Sequence, residues 1–202
     1  MHNLQTTPRL ITITGPSQAG KSTAIEIFKH HKNTYFKPVS IPKYTTRPPR
    51  PDDRPEEVIH VKKLPNKLDL VYQQYDYRYG LSSNEILNQL RNGYSPIIVL
   101  NDVRLITEVK RLFGTLVLSL FLYRKTPQIK EFFLDAINRG DENTEELEKR
   151  FKKAYAIYRI YIENIYLFDS VLINMGNFET LSNQIRCIVH NLDGKSEELY
   201  DE

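Results

Sequence analysis

A glycine-rich motif directly after an apolar segment constrains this chain more than any other feature. The motif, Gly15-Pro-Ser-Gln-Ala-Gly-Lys-Ser22, follows an apolar run at residues 10–13 and precedes a helical pattern. Glycines at this spacing let the backbone curl around an anion, and the start of a helix adds the positive end of its dipole. The motif therefore predicts a strand, a phosphate-binding loop and a helix, the arrangement used to bind a nucleoside triphosphate.

Each polar side chain of the loop has a predicted task. Lys21 is expected to reach the β- and γ-phosphates, and the Ser22 hydroxyl is expected to hold Mg²⁺. The other contacts to the nucleotide are assigned to Gly15, Pro16, Ser17, Gln18, Ala19, Gly20 and Thr23.

Apolar runs alternate with helical patterns along the chain, which predicts an α/β fold with a parallel sheet flanked by helices. Strands are predicted at residues 10–14, 96–100, 116–122 and 170–173, and helices at 22–30, 83–92, 103–113, 127–137, 144–165 and 180–192. The proline-rich segment 38–79 lacks a helical pattern, so it is expected to form a small irregular lobe with short strands. Within it, Tyr75, Tyr77 and Tyr79 alternate with polar residues, which places their rings on one face of a strand.

Composition and charge exclude several classes of protein. The 202 residues carry a net charge of +3, which is too small to imply a nucleic acid or membrane partner. The longest apolar run, residues 116–123, is too short to cross a bilayer, and the first residues lack the apolar core of a secretion signal. Cys187 is the single cysteine and has no internal partner, so a cytoplasmic location is expected.

Two groups of arginines give a second signal for phosphate chemistry. The segment Tyr44-Thr-Thr-Arg-Pro-Pro-Arg-Pro51 holds Arg47 and Arg50 in a loop stiffened by prolines. Alone, such a loop is also compatible with an exposed basic turn. Arg139 and Arg150 lie at an acidic segment and on the helix that follows it, so these two cations are predicted to fold over the phosphates as a mobile lid.

Together these motifs resemble those of the guanylate kinase family, in the same order and with similar spacing. The resemblance covers nearly the whole chain and includes the phosphate loop, Thr45-Thr-Arg-Pro-Pro-Arg-Pro51, Tyr79-Gly80, Arg139-Gly-Asp-Glu-Asn-Thr-Glu-Glu146 with Arg150, and Val171-Leu-Ile-Asn174. It implies transfer of the γ-phosphoryl group of ATP to a nucleoside monophosphate, with GMP or dGMP favoured and Mg²⁺ as the second cofactor. It also implies a monomer or homodimer.

The resemblance divides the single domain into parts. Residues 1–37, 96–130 and 156–202 would form the core, 38–95 the acceptor-binding lobe and 131–155 the helical lid. The implied catalytic residues are Lys21, Arg47, Arg139 and Arg150. The implied acceptor-binding residues are Lys43, Thr45, Arg47, Arg50, Tyr79 and Asp102. Asn174 would lie near the adenine of ATP, and Asp102 would join Ser22 at the metal.

Several positions depart from the family pattern. Guanylate kinases read guanine with a small hydroxyl residue and a glutamate, and they use a second tyrosine for the acceptor phosphate; here those positions hold Lys43, Leu70 and Val58. Leucine cannot accept hydrogen bonds, and each unpaired guanine N–H group costs about 1 to 3 kcal/mol. A shift of one residue would put Asp69 at the glutamate position. A lid arginine is replaced by Asp135.

Three hypotheses follow from this mixture of matches and departures. The first is a nucleoside monophosphate kinase. The second is a kinase of a phosphorylated sugar, because the lid sequence at residues 139–143 also resembles that of ribose 1,5-bisphosphokinase and Lys43 would suit an acceptor with extra negative charge. The third is a non-catalytic guanylate-kinase-like binding module, although such modules generally have a degraded phosphate loop.

Overall fold

The chain folds as alternating strands and helices, in the order that its sequence pattern predicts. The structure, a computed structural model, describes residues 8–32, 36–51, 53–74, 76–124, 129–138 and 144–192. In chain order its main elements are β1 (Leu10–Thr14), α1 (Lys21–His30), β2 (Pro38–Ser40), β3 (Lys43–Thr45), β4 (Val58–His60), β5 (Leu70–Gln74), β6 (Tyr77–Leu81), α2 (Ser83–Arg91), β7 (Ser95–Val99), α3 (Val103–Phe113), β8 (Val117–Tyr123), α4 (Ile129–Ile137), α5 (Thr144–Glu163), β9 (Ser170–Ile173) and α6 (Phe178–Leu192). All predicted strands and helices are present, and their ends shift by at most two residues.

A five-stranded parallel sheet with the order β2-β7-β1-β8-β9 forms the centre of the fold. All five residues of β1 are buried, as expected for a strand with helices on both faces. The edge strand β2 was not predicted, because it has three residues and lies in the segment expected to be irregular. Its Val39 pairs with Pro96 of β7. Pro38 is tolerated because it is the first residue of an edge strand.

Most of the segment that was predicted to be irregular contributes to a second, four-stranded sheet with the order β4-β3-β6-β5. β3 and β4 run parallel, whereas β6 pairs antiparallel with both β3 and β5. The pairing places Tyr72 opposite Tyr79, and their rings stack with centroids 5.1 Å apart. Of the three alternating tyrosines, Tyr77 and Tyr79 pack against one core cluster, and Tyr75 lies outside the described residues.

Two apolar clusters cover the opposite faces of the central sheet. Leu10 of β1 belongs to the cluster that includes residues of α2 and α3. Ile11 and Ile13 belong to the other cluster, which includes residues of α1 and α6. A third, smaller cluster around Phe132 and Leu147 packs α4 against α5. This packing holds the carboxyl ends of β1 and β8 beside the start of α1.

Asp169 links the turn before β9 to the neighbouring strand and helix. Its Oδ2 accepts hydrogen bonds from the backbone N–H and the hydroxyl of Ser119, each 2.7 Å long, and Lys110 Nζ lies 3.1 Å from Oδ1. Burial raises the pKa of this carboxyl group. The hydrogen bonds from Ser119 and the charge of Lys110 lower the pKa by more than burial raises it, so the pKa lies below its usual range.

We expect Asp169→Asn to lower the free energy of unfolding by about 1 kcal/mol at pH 7. The value is small because the side chain is 41% exposed, which screens the charge. A depressed pKa stabilises the folded state above the unfolded-state pKa of about 3.9, and this contribution disappears as the pH falls through the folded-state value. Urea unfolding should therefore show a larger difference between the parent protein and Asp169→Asn at pH 7 than at pH 3; an equal difference at both would contradict the role of the charge.

Candidate active site

The phosphate loop runs from the end of β1 into α1. Neighbouring atoms leave no room for a side chain at either of its two glycines. A Cβ atom on Gly15 would lie 2.7 Å from the carbonyl oxygen of Leu122. Gly20 has a φ of +93°, and a Cβ there would lie 2.5 Å from Asn174 Nδ2. Asn174 itself donates a hydrogen bond to the carbonyl of Ala19, 2.8 Å long. Asn174 therefore lies against the phosphate loop.

Lys21 folds back over the loop that carries it. Its Nζ donates to the carbonyl oxygens of Gly15 and Pro16 at 3.0 and 2.6 Å. Burial of the ammonium group, followed by the charges of Lys43 and Arg150, lowers the pKa of Lys21 to about 7, against the opposing effect of Glu57. A bound anion would favour the protonated form, so this position is suited to phosphate.

A cavity of about 400 Å³ separates the phosphate loop from the second sheet and α5. Of the residues that the structure describes, seven with cationic side chains line it: Lys21, Lys43, Arg47, Arg50, Arg54, Arg150 and Lys153. Only two carboxylates among the described residues do so, Asp53 and Glu57. The predicted residues Ser17, Gln18, Gly20, Ser22, Thr23 and Tyr79 also line it. Such a surplus of positive charge favours a ligand with several negative charges.

The arginine loop is ordered by Asp53, which the sequence reasoning missed. Arg47 is only 5% exposed, and its Nη2 lies 2.6 Å from Asp53 Oδ1. Asp53 Oδ2 accepts from the backbone N–H of Arg50 at 2.7 Å and lies 3.0 Å from His60 Nε2. Burial raises the pKa of Asp53, but hydrogen bonds from Arg47 and Arg50 outweigh it and hold the pKa below its usual range. The ion pair fixes the direction of the Arg47 guanidinium.

Two other predicted acceptor residues occupy different environments. Thr45 is fully buried, and its Oγ1 accepts a hydrogen bond from the backbone N–H of Arg47 at 3.1 Å, so it supports the loop and does not line the cavity. Lys43 Nζ lies 5.9 Å from the centroid of the Tyr79 ring. Burial, followed by the charge of Arg47, lowers the pKa of Lys43 to about 8. Lys43 is therefore a cation held close to the arginine loop.

The helix α5 brings Arg150 onto the phosphate loop. Arg150 is 8% exposed, and its Nε and Nη2 lie 3.3 and 3.0 Å from Ser17 Oγ. Lys153 and Ile157 extend the same side of α5 along the cavity. Arg139, the other predicted lid cation, lies outside the described residues.

Asp135, which stands where a lid arginine was expected, has a cationic partner. Its Oδ2 lies 3.6 Å from Arg124 Nη2. Arg124 also donates from Nη1 to the carbonyl of Gln18 at 2.6 Å, and the Gln18 side chain donates to the carbonyl of Phe132 at 3.0 Å. These contacts connect α4 to the phosphate loop.

Asp102 and Asp69 are used at the starts of helices. Asp102 Oδ1 accepts from the backbone N–H of Leu105 at 2.9 Å and caps α3, and Asp102 is not among the residues that line the cavity. These contacts give Asp102 a capping role, and its role at the metal stays a prediction. Asp69 accepts hydrogen bonds from the N–H and hydroxyl of Ser83 beside α2. Leu70 is 3% exposed in the core, so no acid replaces the expected glutamate.

Glu57 was missed by sequence reasoning and lies beside Ser22, whose hydroxyl is predicted to hold Mg²⁺. Its Oε2 accepts a hydrogen bond from Ser22 Oγ at 2.8 Å. A neighbouring contact joins Arg54 Nη1 to Glu26 Oε1 on α1 at 3.5 Å. No sequence signal connects Glu57 to Ser22, because the two residues are 35 positions apart.

Comparison with known proteins gives a consistent result. Residues 7–191 match the family model described as guanylate kinase. Guanylate kinase from Clostridium tetani is 28% identical over 154 residues, covering 72% of this chain and 70% of the relative. Guanylate kinase from Prochlorococcus marinus strain MIT 9312 is 29% identical over 189 residues, covering 89% of this chain and 96% of the relative.

A solved structure shares the fold. The crystal structure of guanylate kinase from Anaplasma phagocytophilum superposes with a TM-score of 0.60 at 15% identity, covering 96% of this chain and 88% of that one. Within the described part of the chain, each helix is too short or too polar to span a bilayer.

Proposed function

The chain belongs to the guanylate kinase family of ATP-dependent nucleoside monophosphate kinases, and we propose that its cavity passes the γ-phosphoryl group from ATP to a phosphorylated acceptor. One observation carries the proposal: Lys21 of the phosphate loop and Arg47 of the loop after β3 line the same cavity. Donor and acceptor would each have a cationic site, and the phosphoryl group would pass between them. Phosphoryl transfer requires mainly alignment and charge neutralisation, so no nucleophilic side chain is needed.

The proposed roles follow from position. Lys21 and the loop N–H groups would hold the β- and γ-phosphates, and Asn174 would lie near the adenine. Arg150 would neutralise charge as the phosphoryl group moves, and Arg139 would join it from the lid, a role that rests on the resemblance alone. Arg47, supported by Asp53 and with Arg50 beside it, would grip the acceptor phosphate.

Mg²⁺ fits the oxygens at the start of α1. The hydroxyl of Ser22 and the carboxylate of Glu57 are hard oxygen ligands 2.8 Å apart, and Mg²⁺ typically adds substrate phosphates and waters to one or two carboxylates. Mg²⁺ bound here would supply positive charge that offsets the negative charge of the phosphates. Ser22 would contribute its hydroxyl oxygen to that site.

For the acceptor, the family favours a nucleoside monophosphate, with GMP or dGMP first. A second candidate is a phosphorylated sugar, and a specific observation favours it. Lys43 and Val58 line the cavity where a base-reading hydroxyl and a phosphate-binding tyrosine were expected, and the Leu70 side chain is in the core. This pocket offers a cation where guanine would need hydrogen-bond acceptors.

An ADP-release assay with MgATP tests the proposal against a panel of nucleoside monophosphates, deoxynucleotides and phosphorylated riboses. We expect turnover with at least one panel member. A kcat of about 1 to 100 s⁻¹ on GMP would establish the first acceptor and contradict the second. If no panel member caused ADP release, the result would contradict the proposed kinase activity and favour the third hypothesis, a non-catalytic binding module.

Lys43→Met separates the two acceptor classes. If Lys43 contacts a second anionic group of the acceptor, its loss should raise the KM of that acceptor about tenfold to a hundredfold and leave the KM of ATP unchanged. Lys67→Met is the matched control, because Lys67 is an exposed lysine of the same lobe. An unchanged acceptor KM in Lys43→Met would remove the reason for preferring a phosphorylated sugar.

A further inference from the structure

We infer that Glu57, and not Asp102, supplies the protein carboxylate of the metal site that serves ATP, and that it does so from the acceptor-binding sheet. The inference rests on the proposed function for the presence of ATP and Mg²⁺. It adds a metal ligand that the sequence motifs did not indicate. It also gives the metal a physical connection to the acceptor side of the cavity.

The position of Glu57 is fixed by its backbone. Its N–H donates to the carbonyl of Arg54 at 2.9 Å, and its carbonyl accepts from the N–H of Lys43 at 3.0 Å. The residue directly precedes β4, which pairs with β3 in the second sheet. The backbone that carries the side chain is therefore held at both polar groups, and the hydrogen bond from Ser22 orients the carboxylate.

The two carboxylate oxygens of Glu57 differ in their surroundings. Oε2 accepts the hydrogen bond from Ser22 Oγ at 2.8 Å, so it lies beside the hydroxyl that the phosphate-loop motif assigns to Mg²⁺. Oε1 is buried and has no hydrogen-bond partner among the described residues. A buried charged oxygen without a partner costs free energy, and coordination of a cation would relieve that cost.

The positive side chains around the proposed metal site also favour a carboxylate beside Ser22. Lys21 and Lys43 line the cavity together with Glu57. A divalent cation beside these two ammonium groups would be repelled without a negative side chain between them. Glu57 lines the cavity with both lysines and is hydrogen-bonded to Ser22, so its carboxylate can supply that negative charge.

Asp102 is less suited to this task. One of its oxygens accepts the capping hydrogen bond from Leu105 N–H, and the residue is outside the lining of the cavity. The described residues contain no group of three or more histidine, cysteine and acidic side chains placed to hold a metal. The site must then be built from few protein oxygens together with phosphate oxygens, which is the usual arrangement for Mg²⁺ with a nucleotide.

A consequence is that the metal connects the two halves of the enzyme. Ser22 belongs to α1 on the donor side, whereas Glu57 directly precedes β4 of the second sheet, whose strand β3 begins at Lys43. An ion held by both residues would draw this sheet against the nucleotide. The contact of Arg54 with Glu26 lies at the same junction.

The test compares binding of ATP with and without metal by isothermal titration calorimetry. In the parent protein, Mg²⁺ should tighten ATP binding. In Glu57→Gln this gain should fall about tenfold or more, whereas metal-free ATP should bind as well as before or better, because a negative charge near the phosphates has gone. Glu56→Gln is the matched control, because Glu56 is the exposed neighbour in the same turn and should keep the full gain.

A second readout follows the metal directly. Electron paramagnetic resonance of Mn²⁺ titrated into the protein with ADP should show weaker binding in Glu57→Gln and in Glu57→Ala, with thermal unfolding confirming that both variants are folded. A full metal gain in both variants, with loss of the gain in Asp102→Asn, would overturn the inference and leave the kinase proposal standing. Failure of the parent protein to bind ATP under any condition would contradict the proposed function itself.

Discussion

Lys21→Ala is expected to lower kcat about a thousandfold or more and to leave the fold intact. A positioned cation at the transferring phosphoryl group is worth about this much, because the transition state spreads negative charge over its oxygens. The structure gives a reason for the intact fold. Burial lowers the pKa of this ammonium to about 7, so its charge adds little to the folded state, and its removal costs the two hydrogen bonds to the carbonyls of Gly15 and Pro16.

Steady-state kinetics with saturating ATP and acceptor measure this effect, and circular dichroism checks the fold. Lys29→Ala is the matched control, because Lys29 lies on the same helix and pairs with Glu26 away from the cavity. That variant should keep the parent kcat. Turnover close to the parent value in purified, folded Lys21→Ala would refute the assignment of Lys21.

Arg47→Ala is expected to lower kcat/KM for the acceptor about a hundredfold to a thousandfold, with little change in ATP affinity. The buried guanidinium is a two-pronged donor that suits phosphate, and it faces the cavity from the loop after β3. Its removal also leaves Asp53 without its main partner, so we expect a loss of stability of about 1 to 3 kcal/mol.

Two further variants separate recognition from stability. Arg47→Lys keeps the charge but loses the paired donors, so it should recover part of the stability and little of the acceptor use. Asp53→Asn should weaken acceptor use less than Arg47→Ala, because it disturbs only the direction of the guanidinium. A loss of ATP affinity in Arg47→Ala without loss of acceptor use would show that Arg47 serves the other substrate.

The sequence indicated the central fold well because its signals are local. A buried parallel strand such as β1 is a continuous apolar run, and the glycine spacing that follows it has few alternative explanations. The strands β2, β3 and β4 have three residues each, which is too short for any periodic pattern to appear. The second sheet was therefore expected only as an irregular lobe.

The site was predictable where a motif carried it and not where it depended on contacts between distant residues. Lys21 and Arg47 lie in recognisable motifs, and both reach the cavity. Glu57 reaches Ser22 only because the turn before β4 lies beside the start of α1, a contact that no spacing encodes. Asp102 has a use that its position equally predicts, since an acid after a strand also precedes a helix, and one of its carboxylate oxygens caps that helix.

The most direct test of a two-site phosphotransferase follows the phosphoryl group itself. ATP labelled with ³²P at the γ-position is incubated with Mg²⁺, the enzyme and each acceptor of the panel, and the labelled products are separated by chromatography. The account predicts that label appears on one acceptor, as a nucleoside diphosphate or a sugar phosphate with one added phosphoryl group, and that Lys21→Ala and Arg47→Ala each abolish most of it. Label found only as inorganic phosphate, at the same rate with and without every acceptor, would contradict it.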